Sequence, residues 1–179
     1  VRLADAAPPR RGGARPPTDL EGLLSHLEEE TEARDGSHRA LTVREERALD
    51  AALDAALRPF PIPVQVAFAR LGVFPQAFTP EQACAIGGSA AATEALEALA
   101  GAGLLRRVGG ERFEIPAAAR ERALARLSPA QRRTARARHT GHFVRCILDE
   151  LRYIRPRTPA AVQWITQEEA NWRRALTER

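Results

Sequence analysis

Lysine and methionine are absent from this sequence of 179 residues, so all 27 basic side chains are arginines. Without a lysine, the chain cannot form the Gly-x-x-x-x-Gly-Lys-Ser/Thr loop that holds nucleotide phosphates in P-loop ATPases. No Ser-His-Asp or Cys-His arrangement can be argued from spacing alone. We therefore predict no catalytic residue, no cofactor site and no enzyme activity in this chain. Because it starts at Val1 and contains no Met, we expect it to be part of a longer polypeptide.

Cysteines and long apolar runs are also scarce. The two cysteines, Cys84 and Cys146, fall on predicted inner helix faces, as buried free thiols do in a reducing compartment. No apolar run approaches the roughly 20 residues of a membrane-spanning helix, and no segment resembles a signal peptide. We therefore expect a cytoplasmic protein with no membrane partner.

The composition is that of an ordinary folded protein. A hydrophobic content of 44% is enough to build the core of one large domain or two small ones. The net charge of +4 and the pI near 10.2 are compatible with nucleic-acid binding but modest for a dedicated binder. Abundant Arg, Ala and Pro are typical of a GC-rich coding bias, so the number of arginines alone says little.

Residues 61–127 have the order of elements of a winged helix-turn-helix. A first helix is predicted because apolar residues recur every three or four positions from Val64 to Leu71. A second helix is predicted to start at the N-cap Thr79 and a third at the N-cap Ser89, with a fourth over residues 116–127. The predicted core of this unit consists of Phe68, Phe74, Leu96, Leu99, Phe113 and Ile115.

A β-hairpin is predicted between the third and fourth helices. Its strands, residues 104–108 and 112–115, flank Gly109-Gly110, the residue type that a tight two-residue turn requires. In that register Arg107 faces Arg112, and two like charges need a neutralising group. Glu114, diagonal to Arg107, is favoured over a phosphate oxygen because it needs no missing partner.

Helical segments flank this unit, so the predicted fold class is mainly α with a small two-stranded wing. Residues 1–18 form a Pro/Arg-rich leader that is predicted to be flexible, because its composition cannot bury enough apolar surface to fold. Residues 19–60 form a helical segment with a capping box at Thr42 and Glu45. Residues 128–179 form a linker: a long helix from Ser128 to about Tyr153, then a last helix from Pro159.

Three side chains of the long helix are candidate metal ligands. His139, His142 and Cys146 are spaced i, i+3, i+7 and so lie along one helical face. Phe143 and Ile147 share much of that face, so packing is favoured over zinc.

The candidate contacts to DNA or another anion are three arginines of the wing: Arg106, Arg107 and Arg112. In a DNA-binding winged helix the third helix enters the major groove and the wing contacts phosphates. Here the outer side of that helix offers Thr93, Glu94 and Glu97. Because carboxylates repel phosphates, we favour a scaffold role over DNA readout.

Two further features concern partners. An arginine run on the long helix, Arg132, Arg133, Arg136 and Arg138, is expected to be solvated or paired with an acidic surface such as Glu28–Glu32, rather than with nucleic acid. Trp164 and Trp172 lie eight residues apart on the last helix, so we expect core packing or docking onto a following helical repeat.

Residues 49–176 contain an ordered set of short motifs: Leu53-Asp54, the run Phe68 to Pro75, Phe78-Thr79, Ala95-Leu96, Leu99, Leu104-Leu105, Arg112-Phe113, Arg120-Glu121, Arg138-His139, His142-Phe143, Trp164 and the run Asn171 to Leu176. Their order resembles that of STAND-class bacterial transcriptional regulators, the NB-ARC-containing proteins of the LuxR-like and SARP-like kind. The first part resembles the segment that joins their ATPase core to a winged helix.

The resemblance implies a place in a larger protein: a P-loop ATPase module, then this winged helix, then helical repeats that sense a signal. The partners would be those domains or a second copy of the protein, and ATP or ADP would bind only to the parent's ATPase module. In the family a short motif after the second wing strand contacts nucleotide. The matching positions here, Pro116, Ala117 and Ala118, carry no group that could bind a phosphate.

Overall fold

The structure, a computed structural model, describes residues 20–32, 42–153 and 159–177, without the side chains of 28–32, 150–153 and 159–161. The predicted leader, residues 1–18, lies outside the described residues. The described part is mainly helical with one small antiparallel sheet. Its elements are α1 Leu20–Glu32, α2 Val43–Leu57, α3 Ile62–Leu71, α4 Pro80–Gly87, a 3-10 turn Ser89–Ala91, α5 Thr93–Gly101, β1 Arg106–Arg107, β2 Phe113–Glu114, α6 Ala117–Ala125, α7 Pro129–Tyr153, α8 Pro159–Gln167 and α9 Glu169–Thr177.

Capping boxes start three of the helices where the sequence predicts helix starts. The Thr42 hydroxyl accepts from the backbone N–H of Glu45 at the start of α2, and the Glu45 carboxylate accepts from the N–H of Thr42 at 2.6 Å. Thr79 with Gln82 forms the same arrangement at α4, and Ser128 with Gln131 forms it at α7. Each box satisfies two backbone donors that a helix start leaves without partners.

The core is built around α3 and the loop that follows it. All six predicted core residues are at most 2% exposed. Phe74 stacks on Phe78 with ring centroids 4.5 Å apart and meets the edge of Phe143 from α7 at 6.3 Å. The buried leucines of α1 and α2 belong to the same continuous cluster. Helices α1 and α2 of the predicted segment 19–60 therefore pack directly on the unit 61–127.

Gly72 lets the end of α3 approach α6 closely. A Cβ at this position would lie 2.9 Å from the carbonyl oxygen of Arg120 and 2.9 Å from Cγ of Leu124. Contacts this short are not tolerated between packed atoms, so any larger residue must push the two helices apart.

The hairpin is confirmed, but its predicted two-residue turn is wrong. The N–H of Val108 donates to the carbonyl of Arg112 at 3.0 Å, which leaves the three residues 109–111 in the loop. Gly109 and Gly110 both have positive φ, 60° and 55°. The extra residue shifts the register, so that Arg106 pairs with Glu114 and Arg107 with Phe113. Arg107 therefore does not face Arg112.

Phe78 adds a third backbone segment beside β2. Its N–H donates to the carbonyl of Phe113 and its carbonyl accepts from the N–H of Phe113, both at 2.8 Å. The loop between α3 and α4 is thus attached to the hairpin by a single antiparallel bridge, and β1 is the outer strand.

Two predicted helix boundaries are wrong. The third helix starts at Thr93 and not at Ser89, because Ala92 is extended (φ −62°, ψ 161°) and separates the 3-10 turn from α5. The predicted last helix is two helices, α8 and α9, which meet at Glu168. No proline or glycine lies at either break, so the sequence gives no sign of the helix ends there.

Candidate functional site

Arg112 of the hairpin forms a buried ion pair with the junction of α8 and α9. Its guanidinium donates to Oε1 of Glu168 at 2.6 Å and to the backbone carbonyl of Ala77 at 2.5 Å. The side chain of Arg112 is 14% exposed and that of Glu168 is 1% exposed. Because water is nearly excluded, each charge depends on the other for its compensation.

One further hydrogen bond completes this contact, which we call the hairpin clamp and which consists of Arg112, Glu168 and Asn171. The amide of Asn171, which is fully buried in α9, donates to Oε2 of Glu168 at 2.7 Å. Beside the clamp, the side-chain amide of Gln76 donates to the carbonyl of Gln167 at 2.6 Å. The α3–α4 loop, the hairpin and the two C-terminal helices therefore meet at one point.

The other two candidate arginines of the hairpin, Arg106 and Arg107, are not part of the clamp. Arg107 donates to the carboxylate of Glu97 on α5, and its guanidinium lies 5.5 Å from the ring centroid of Phe113. The hydrogen bond and the charge of Glu97 raise the pKa of Arg107. Glu114, predicted to neutralise Arg107, instead accepts from Arg120 at 3.4 Å, because the three-residue loop moves it opposite Arg106.

The outer face of α5 carries no cation that could contact a phosphate. Thr93 and Glu94 are exposed, and Glu97 is held by Arg107. Pro116 is buried at the start of α6, and the following alanines add no polar side chain. The side chains at these positions offer an anion no positive charge, and the two glutamates repel it.

The three candidate metal ligands do not converge. His139 is 1% exposed, and its ring packs against Phe74 at 5.3 Å and Phe143 at 4.8 Å. Nε2 of His142 lies 3.7 Å from Sγ of Cys146 on the next turn. Among the described residues, no three His, Cys, Asp or Glu side chains form a group that could hold a metal ion.

His142 and Cys146 instead line a groove of about 610 Å³ between the start of α4, the hairpin loop, α7 and α8. Burial lowers the pKa of His142 and raises the pKa of the Cys146 thiol. The two shifts favour a neutral imidazole beside a protonated thiol. Both shifts run opposite to those that activate a nucleophilic cysteine, in which the pKa of the thiol is lowered.

The two tryptophans differ in their surroundings. Trp164 is half-buried and lines the groove, whereas the indole N–H of Trp172 donates to the carbonyl of Ile165 at 3.0 Å. On the outer side of α8 and α9, Val162, Ile165 and Leu176 are between 40% and 50% exposed. Docking of a further helix by the tryptophans stays a prediction.

Two arginines of the α7 run bind backbone carbonyls. Arg132 donates to the carbonyl of Leu127 at 3.4 Å, and Arg138 donates to the carbonyl of Ile86 at 3.2 Å. The predicted pairing of this run with Glu28–Glu32 lies outside the described side chains.

Sequence reasoning missed Glu168 and Asn171 as parts of a site. One signal was present: Trp164, Glu168, Asn171 and Ala175 recur at i, i+4, i+7 and i+11, which places them on one inward face. A carboxylate and an amide on an inward face need polar partners, and Arg112 is such a partner.

Comparisons with protein-family models, with curated proteins and with solved structures find no match to this chain. Among the described residues, no helix has the length and apolar character needed to cross a membrane.

Proposed function

We propose that this chain is a non-catalytic regulatory module of a STAND-like transcriptional regulator, with residues 61–127 as a winged helix. The module acts as a conformational relay between an ATPase module and signal-sensing repeats. The order of three short helices and a glycine-turned hairpin supports this proposal, together with the motif order described above. Apolar side chains pack most of the described elements against the common core, and the described side chains form no group of three that could hold a metal ion.

The hairpin clamp is the observation that carries the proposal. It links Arg112 to Glu168, 56 positions further along the chain, through a contact that is almost closed to water. Buried charge pairs with defined geometry have few alternative arrangements, so the contact is either made or broken. A displacement of the hairpin is therefore passed to the helices that lead toward the C-terminal side.

The relay is tested in the full-length parent regulator. Arg112→Ala is expected to uncouple transcription of a reporter from the signal, whereas Arg107→Ala, which removes an exposed pair, is expected to leave the response intact. Unchanged signal dependence in Arg112→Ala would refute the relay. A chain cut at Pro116 that still responds to the signal would dismiss it as well, because the clamp joins segments on either side of that cut.

Hydrogen exchange on the isolated chain provides a second measurement. Arg112→Ala is expected to raise amide exchange in α8 and α9 and to leave exchange in α2 unchanged, because α2 packs against α1 and α6. Equal exchange in α9 of the two proteins would show that the clamp does not hold the C-terminal helices.

A DNA-binding winged helix is the alternative function. It predicts steep salt dependence of DNA binding and loss of affinity in Arg107→Ala and Arg112→Ala. Two observations disfavour it: Glu94 and Glu97 stand where the third helix would face DNA, and both arginines already have carboxylate partners. The absence of a retarded band in a gel-shift assay at low salt would remove this alternative.

A further inference from the structure

The part of α7 from Pro129 to Leu148 carries positive charge and no acidic residue, and Asp149 and Glu150 follow it directly on the helix. From Pro129 to Leu148 the sequence has arginines at 132, 133, 136, 138 and 145 and no Asp or Glu. The coding bias explains many arginines but not the missing acids, since the chain as a whole has 23 acidic residues. The helix dipole does not explain the missing acids either, because it favours acidic residues and disfavours cations near a helix N-terminus.

Four of these arginines, Arg133, Arg136, Arg138 and Arg145, are exposed. Arg138 is held in place by the carbonyl of Ile86 at the end of α4. Arg133 and Arg145 take part in none of the ion pairs that the structure describes. Arg133 and Arg145 can therefore contact a charged partner without first breaking one of these ion pairs.

The arginines lie on both sides of a strip of small side chains, Thr134, Ala137 and Gly141, which we call the ridge. Thr134, Ala137 and Gly141 are exposed along the middle of the outer face, and a Cβ added at Gly141 would meet no atom within 4 Å. At about 100° per residue, Arg133 lies on one side of this ridge and Arg138 and Arg145 lie on the other, each about 50–70° from its centre. A bulky partner can reach the helix backbone between the guanidinium of Arg133 on one side and those of Arg138 and Arg145 on the other.

We propose that this α7 face binds the phosphate backbone of duplex nucleic acid, as a surface separate from the hairpin and from α5. The major groove is about 12 Å wide, admits an α-helix, and has a row of phosphates on each side. A helix with arginines on both flanks matches two rows of anions, whereas an acidic protein helix would present one row. The ridge offers one hydroxyl, from Thr134, and otherwise no group that could read base edges, so binding is independent of sequence.

Fluorescence anisotropy with labelled duplexes of unrelated sequence, measured against salt concentration, tests the proposal. Three phosphate contacts, from Arg133, Arg138 and Arg145, give an expected slope of log K against log salt of about −2.7, equal for each duplex. Arg133→Glu/Arg145→Glu is expected to weaken binding by at least about tenfold and to reduce the slope by about 1.8. Arg133→Gln/Arg145→Gln repeats the test with a smaller charge change, and circular dichroism checks that each variant is folded.

Arg44→Glu/Arg47→Glu is the matched control. Both residues are exposed on α2, and the change of net charge is the same as in the α7 variant. The control is expected to bind like the unchanged protein. Equal weakening in both variants would mean that only the overall charge matters and would overturn the proposal, as would the absence of binding at low salt.

A competition experiment addresses the other class of partner. A polyglutamate peptide at the same charge concentration as the duplex is expected to displace it poorly. If the peptide competes as well as unlabelled duplex does, the surface is one for acidic proteins, and the proposal fails. Ala137→Leu places a bulky side chain on the ridge without altering the charge, so it is expected to weaken duplex binding. Unchanged affinity would contradict the insertion of α7 into the major groove.

Discussion

At the scale of single residues, the strongest prediction concerns the charge that Arg112 neutralises. Arg112→Ala leaves the carboxylate of Glu168 buried with only Asn171 to compensate it, so we expect the free energy of unfolding to fall by about 3–5 kcal/mol. Urea denaturation followed by circular dichroism measures the change. Replacing both partners, Arg112→Met with Glu168→Leu, is expected to cost less than the single change. A double variant less stable than Arg112→Ala would contradict this account of the clamp.

His142 gives a second prediction at this scale, concerning pH. Burial lowers its pKa in the folded state below the ordinary value of 6.5. The unfolded chain therefore binds a proton more readily, and stability is lost as the pH falls below about 6.5 until the folded state is protonated as well. As the pH is lowered from about 8 to 5, the midpoint temperature of thermal unfolding should decrease less in His142→Gln than in the unchanged protein. An equal pH dependence in the two proteins would contradict it.

At the scale of elements, the approach of α3 to α6 provides a test with its own internal control. Gly72→Ala places a methyl group 2.9 Å from the carbonyl oxygen of Arg120, so we expect a loss of about 1–3 kcal/mol in stability. Gly141→Ala lies on an open helix face and is expected to stabilise α7 by up to about 1 kcal/mol. Thermal denaturation of both variants measures the two changes, and a stable Gly72→Ala protein would show that the two helices can separate cheaply.

Elements with a local signal could be predicted, and those set by distant contacts could not. Thr42, Thr79 and Ser128 start helices as predicted, because a capping box needs only residues three positions apart. The hairpin was predicted from its glycines, but its register depends on a loop one residue longer than the shortest turn that Gly109-Gly110 allows.

The candidate site shows the same limit. Arg112 was identified from sequence as a residue that needs a negative partner, but the partner was predicted to be Glu114 or a phosphate. Glu168 lies on another helix, and nothing in the sequence distinguishes it from its neighbour Glu169 except its phase with Asn171 and Ala175. Contacts between distant segments require knowledge of the packing.

At the scale of the whole molecule, the continuous core predicts one cooperative unfolding transition. Leucines of α1 and α2 share a cluster with Phe68 and Phe143, although residues 19–60 and 61–127 were predicted as separate segments. The two tryptophans lie near the C-terminal end, so their fluorescence reports α8 and α9, while far-ultraviolet circular dichroism reports all helices. We expect coincident midpoints by the two probes. Leu53→Ala should lower both midpoints together, and separate transitions would show two independent units.

The position of β1 outside β2 and Phe78 has a consequence for solubility. A strand at the margin of a sheet exposes unpaired backbone groups that can recruit a strand from another molecule and begin a fibril. Both residues of β1, Arg106 and Arg107, are exposed and charged. The side chains that first suggested an anion site thus also repel a neighbouring copy, and replacing both with threonine should make concentrated solutions turbid.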